Sequence, residues 1–115
     1  MKFMLILSAD AAAPDTEPQS EKDRVYNEHM KVVHELEAQG KLVGSGRLRG
    51  GGVKIRMIRG KPTAIDGPFS ETKESVGGYY LIECASREEA VEWAKKMPHF
   101  GDLKYSGIEV REFWD

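Results

Sequence analysis

Acid-base or nucleophilic chemistry in this 115-residue chain would have to rest on three histidines, one cysteine and one short acidic turn. His29 stands out by position. At about 100° per residue, Val25, Tyr26, Met30, Val32, Val33 and Leu36 fall on one broad apolar arc with His29 near its middle. An imidazole there faces a sheet rather than solvent. Imidazoles titrate near neutral pH, so one lining a gap between helix and sheet suits general acid or base work. The competing reading is a core histidine satisfied by one buried hydrogen bond. His34 falls toward the flank of the arc, about 140° from His29, so the two do not comfortably share a metal ion. His99 follows Pro98 in a loop where nothing converges on it. Cys84 alternates onto the face of Tyr80 and Ile82 and reads as a small core residue without an activator for its thiol.

The acidic turn is Asp66 in DGPFSETKES. An aspartate caps its own turn, Gly67 permits an unusual dihedral and Pro68 stiffens the next step, which is ordinary loop chemistry. The polar run to Ser75 is nevertheless longer than a hairpin requires, and long polar loops on a rigid scaffold often carry function. Against that, Glu71, Lys73 and Glu74 also read as a solvated charge run. The glycines of Gly44-Ser45-Gly46 and Gly50 to Gly52 precede strands, whereas a phosphate cradle opens a helix, so no dinucleotide or other cofactor is expected.

These residues must be positioned by one domain, since a 12.9 kDa chain supports a single core without disulfide or metal staples. With 17 Lys and Arg against 19 Asp and Glu, the net charge of −2 disfavours a nucleic-acid partner and a polybasic membrane anchor. No apolar run approaches the length of a membrane span. A lone cysteine fits a reducing cytoplasm. Met1 to Ala13 has the outline of a signal peptide, but Phe3 to Leu7 is too short for its apolar region and reads as a first strand.

Lys2 to Ala9 is apolar on both alternating sets, which implies a strand covered on both faces. Asp10 to Gln19 reads as a loop. Ser20 as N-cap and Gly40 as the residue past the end bound a helix of about 20 residues. Lys41 to Arg49 then reads as a strand, Val53, Ile55 and Met57 as the next, and Pro62 to Ile65 as a short return after a turn at Gly60-Lys61. Tyr79 to Ala85 is again apolar on both faces. Ser86 and Glu89 form a capping box ahead of a second helix with Ala90, Trp93, Ala94 and Met97 inward, ended near Pro98. Gly107 to Phe113 is the last strand. The order predicts an α+β fold, a ferredoxin-like split βαβ with an extra central hairpin and an antiparallel sheet. Both helices cover one sheet face, so the two-faced strands need a second cover, most simply the sheet of another copy in a two-fold homodimer.

At the level of motifs, DGPFSETKESVGGYYLIECASREEAVEWAKKMP (Asp66 to Pro98) resembles the signature of the DGPF group of YCII-related proteins, and KFMLILSAD resembles that family's first strand. The resemblance implies a dimeric α+β barrel. YCII-like proteins resemble muconolactone isomerase, and one branch includes a dehydrochlorinase of a chlorinated hydroxyhydroquinone with a proposed histidine-aspartate pair. NEHMKVVHELEAQGKLVGSG aligns the histidine with His29, and Asp66 is the best match for the aspartate, although an inserted hairpin precedes it. The implied enzyme moves a proton on a small aromatic or enolic substrate, with Asp66 orienting His29. Lys73, Arg47 or Arg49 would hold a substrate anion, Tyr26, Phe69 and Tyr80 would supply apolar walls, and Glu71 would join the binding surface. The alternative is a non-catalytic dimer that binds a small molecule or serves a regulatory role, since many DGPF proteins are encoded beside sigma factors.

Overall fold

The structure, a computed structural model, describes residues 1–10, 18–49, 51–66, 74–98 and 105–114. In chain order the elements are β1 (Lys2–Asp10), α1 (Gln19–Ala38), β2 (Leu42–Arg47), β3 (Val53–Ile58), β4 (Lys61–Asp66), β5 (Glu74–Glu83), α2 (Arg87–Lys95) and β6 (Tyr105–Glu112). The strands form an antiparallel sheet in the order β2-β5-β1-β6 and a separate two-stranded sheet of β3 and β4. This is the expected ferredoxin-like α+β arrangement with a hairpin inserted between β2 and β5.

Alternation along the two central strands builds the core. Phe3 and Leu5 of β1 and Tyr80 and Ile82 of β5 lie on one face, where Val32 and Leu36 of α1 and Ala90, Trp93 and Ala94 of α2 close over them, with Met97 following α2. Cys84 belongs to this core, and burial is the main reason its thiol is held above the ordinary range, with the nearby Glu89 charge adding to it. Tyr26 does not join the core and is exposed, because it lies about 80° around the helix from Leu36 and about 120° from Val32.

Both helices end where backbone donors and acceptors find partners. Ser20 is not the N-cap of α1. Pro18 takes that place with no side-chain cap, and its carbonyl accepts from the amides of Glu21 and Lys22. At the other end Gly40, at φ 66°, donates to the Glu37 carbonyl while Lys41 donates to Leu36, which closes the last turn in a Schellman motif. For α2, Ser86 Oγ accepts from the Glu89 amide at 3.1 Å. Glu89 reaches back to the Ala85 amide at 2.7 Å and pairs with Lys41, which ties α2 to the start of β2. The Lys41 bond is the first cause, and the Ala85 amide the second, of a Glu89 carboxyl held below its usual range.

The strand limits depart from the sequence pattern at the hairpin end. β5 begins at Glu74, not Tyr79, because β1 extends to Asp10 and offers pairing partners to Glu74 and Ser75. Gly77 and Gly78 therefore lie inside the strand. A Cβ on Gly78 would come within 3.0 Å of the Gly46 carbonyl oxygen, so the close approach of β2 and β5 fixes a glycine there. Asp66 is the last residue of β4 and not the first of a loop. The hairpin turns at Arg59 and Gly60, both with positive φ, one residue earlier than Gly60-Lys61, as a two-residue connection between the paired Ile58 and Lys61 demands.

Among the described residues, two apolar surfaces remain uncovered. The sheet face opposite the helices carries Met4, Ile6, Tyr79 and Leu81, all partly exposed. Every residue of β3 is exposed, and the chain spans 49 × 42 × 18 Å with a radius of gyration of 16.1 Å, against about 13 Å for a compact domain of this length. The hairpin stands off the body.

Candidate functional site

α1 crosses the helix-covered face of the sheet and sets His29 over β5. Its Nδ1 lies 2.8 Å from Tyr80 Oη, and the two rings stack with centroids 5.9 Å apart and planes 22° apart. Tyr80 is 7% exposed, and burial pushes its phenol up to about 12. The phenol thus stays protonated across the working range of a histidine. Tyr80 occupies Nδ1 of His29.

Register supplies the surroundings. Ser45 of β2 stands directly opposite Tyr80, so their side chains share one sheet face, and Arg47, two residues on, shares it too. Ser45 and Arg47 are exposed, so a hydroxyl and a guanidinium stand at the solvent edge of the sheet face that carries Tyr80. Leu5 and Ile82 wall the pair on the inner side.

Of the residues singled out from sequence, the structure brings His29, Tyr80 and Arg47 to one face of one sheet. Asp66 lies elsewhere, exposed at the end of β4 in the second sheet, and His29 bonds to Tyr80. Phe69, Glu71 and Lys73 lie outside the described residues, as does His99. Arg49 is exposed beyond the end of β2, and Tyr26 lies on the outer side of α1. Sequence reasoning gave Tyr80 a wall's role and missed its bond to His29. The signal was present in two separate patterns, the apolar arc containing His29 and the alternation placing Tyr80 beside Ile82, but joining them requires the register of α1 on β5. Ser45 was passed over with its flanking glycines. Gly46 has a different task, since a Cβ there would lie 2.8 Å from the ring of Tyr79 on the opposite sheet face.

Among the described residues no three His, Cys, Asp or Glu side chains converge to hold a metal ion. A solvent-open hollow lined by Arg87, Glu88, Val91 and Glu92 contains none of the candidate residues. No described helix is long and apolar enough to cross a membrane.

Comparison with known proteins agrees with this architecture. The model of the YCII-related domain matches residues 1–114. The chain belongs to the YCII-related family. An uncharacterised protein of Rhizobium meliloti (strain 1021) is 31% identical to this YCII-related chain over 99 residues, covering 84% of the chain and 80% of the relative. The solved structure of the 5-chloro-2-hydroxyhydroquinone dehydrochlorinase of Burkholderia phenoliruptrix AC1100, in complex with 2,5-dihydroxybenzoquinone, superposes with a TM-score of 0.59. That match covers 100% of this chain and 94% of the other at 17% identity, and the neighbour has the dimeric α+β barrel fold. At that identity the likeness concerns the fold.

Proposed function

We propose that this YCII-related protein, of the DGPF group, is a cytoplasmic enzyme that moves a proton on a small aromatic or enolic substrate through His29. The observation that carries the reading is the 2.8 Å bond between His29 Nδ1 and a buried, protonated Tyr80. In the basic form the imidazole donates Nδ1–H to Tyr80 Oη and accepts a substrate proton at Nε2. The resulting imidazolium keeps the same bond, because a neutral phenol still accepts from Nδ1–H. A phenolate there would trap the charge, and a phenol pushed up to about 12 avoids that. Return of the proton to a different carbon completes an isomerisation, and departure of a leaving group with its electron pair completes an elimination.

Arg47 is proposed to hold the oxyanion of the substrate on the open β2 side, with Lys73, Phe69 and Glu71 contributing from the DGPF segment. Asp66 is proposed as the second acid-base group. It stands at the root of the hairpin, so its approach to a site belongs to the assembled protein. The working unit is proposed to be a homodimer packed through the sheet faces that carry Met4, Ile6, Tyr79 and Leu81. The alternative of a binding module without catalysis makes a different prediction in the same experiment.

That experiment offers hydroxyhydroquinones and 2,5-dihydroxybenzoquinone, the ligand of the structural neighbour, and follows solvent-deuterium incorporation and product formation by NMR. His29→Gln is expected to lower the catalysed rate by at least about a hundredfold, the usual worth of a positioned acid-base group. Asp66→Asn should lower it as well, and Tyr80→Phe should lower it less while shifting the pH profile. Tight binding of these compounds, returned unchanged and unexchanged by the wild-type protein, would establish the binding module instead.

A further inference from the structure

The β3-β4 hairpin is the least explained part of the molecule. Its register puts Val53, Ile55 and Met57 on one face with Ala64 and Pro62, and Lys54, Arg56 and Lys61 on the other together with Ile58, Thr63 and Ile65. Val53, Ile55 and Met57 are 58%, 63% and 68% exposed. An isolated two-stranded ribbon is marginal in water, and an exposed apolar strand face invites a partner. The ribbon nevertheless has a well-formed register and a turn built with two positive-φ residues.

Charge identifies the partner. Between residues 53 and 66 the hairpin carries four cations, Lys54, Arg56, Arg59 and Lys61, against one acid, Asp66. The whole chain has 17 cations and 19 acids, so the remainder holds 13 cations against 18 acids. A basic arm on an acidic body is complementary to another copy of itself. Area agrees with this. The three apolar side chains of one arm leave roughly 300 Å² to cover. Two arms exchanged about a two-fold axis, with the surface they cover, bury on the order of 1,200 Å², the lower bound of a stable interface.

We propose that the β3-β4 hairpin is an exchange arm, which lays Val53, Ile55 and Met57 against the body of a second copy of this chain and is drawn there by its positive charge. The arm adds to the sheet-face contact and does not depend on the chemistry at His29. Docking also carries Asp66, which shares the apolar face at the root of the hairpin, from solvent into the interface.

The test is sedimentation velocity of the full chain over a concentration series, for the wild type, for the double variant Ile55→Glu/Met57→Glu and for Ile6→Glu on the sheet face. Hydrogen exchange of the 53–58 amides is followed in parallel. Because the arm side chains are exposed in the single chain, the double variant should keep its circular dichroism spectrum and the thermal midpoint of its monomer. Its dimer dissociation constant should rise at least about a hundredfold, the expected result of losing two buried apolar side chains to charge. In the wild type the β3 amides should be protected in the dimer and lose that protection on dilution to monomer. Raising the salt from about 0.05 to 0.5 M should weaken assembly. A double variant that dimerises within about twofold of the wild type, or β3 amides that exchange alike in monomer and dimer, would overturn the arm. If Ile6→Glu dissociates the dimer while the double variant does not, the sheet-face contact stands and the arm falls. A wild type that stays monomeric throughout overturns both, and an arm that binds duplex DNA without self-association overturns this proposal.

Discussion

The centre of the four-stranded sheet and the β3-β4 hairpin are built from the same strand-forming residue types, yet they end in opposite environments. Phe3, Leu5 and Ile82 are 0% exposed, whereas Ile55 and Met57 are 63% and 68% exposed. The difference is in what covers each strand. β1 and β5 have neighbours on both edges and two helices on one face, while among the described strands β3 and β4 pair only with each other. His29 and Tyr80 sit on the first, rigid region and Asp66 on the second, so the residues proposed for chemistry are divided between a fixed scaffold and an arm.

Substitutions separate the two regions. The largest effect is expected in the packed region, where Phe3→Ala should cost about 3–5 kcal/mol by urea denaturation, since the core cannot collapse around the loss. Tyr80 gives a pH test whose sign is fixed. Its folded-state pKa of about 12 exceeds the ordinary 10, so the unfolded chain releases this proton first as pH rises. Stability is therefore intact below about pH 10 and falls through pH 12, by about 3 kcal/mol, and Tyr80→Phe should remove that part of the decline. Gly46→Ala should cost about 1–2 kcal/mol by pressing on the Tyr79 ring, and Tyr79→Leu in the same chain should recover most of it. In the hairpin the dilute monomer should tolerate Ile55→Thr within about 0.5 kcal/mol. A loss there comparable to that of Phe3→Ala would mean that the hairpin is covered within one chain. Smallest of all, Arg59→Asn should ease the positive φ at the turn and slow amide exchange in β3 without moving the thermal midpoint of the sheet.

Much of the scaffold was legible because it repeats. Alternation in β1 and β5, the helical period of α1 and α2, the capping Ser86 and the stop at Gly40 each give their signal within a few residues. The misses arise where a distant partner decides. The start of β5 depends on how far β1 extends. The turn at Arg59-Gly60 places a non-glycine residue at positive φ, which nothing local advertises. Pro18 caps α1 through its carbonyl and carries no side-chain signal. At the site, His29 was visible as an odd residue on an apolar arc, whereas its bond to Tyr80 depends on the packing of a helix against a strand 51 positions away. Arg47 and Ser45 join them only through the register of β2 on β5.

The proposed chemistry rests most heavily on Tyr80 holding His29 in a fixed state. Imidazole ¹⁵N NMR of the wild type and Tyr80→Phe, with circular dichroism to verify folding, addresses this directly. Loss of the Oη bond should move the His29 Nδ1 resonance and change the tautomer balance while leaving those of His34, exposed on the far side of α1, unchanged. A folded Tyr80→Phe protein in which both His29 nitrogens resonate as in the wild type would contradict it.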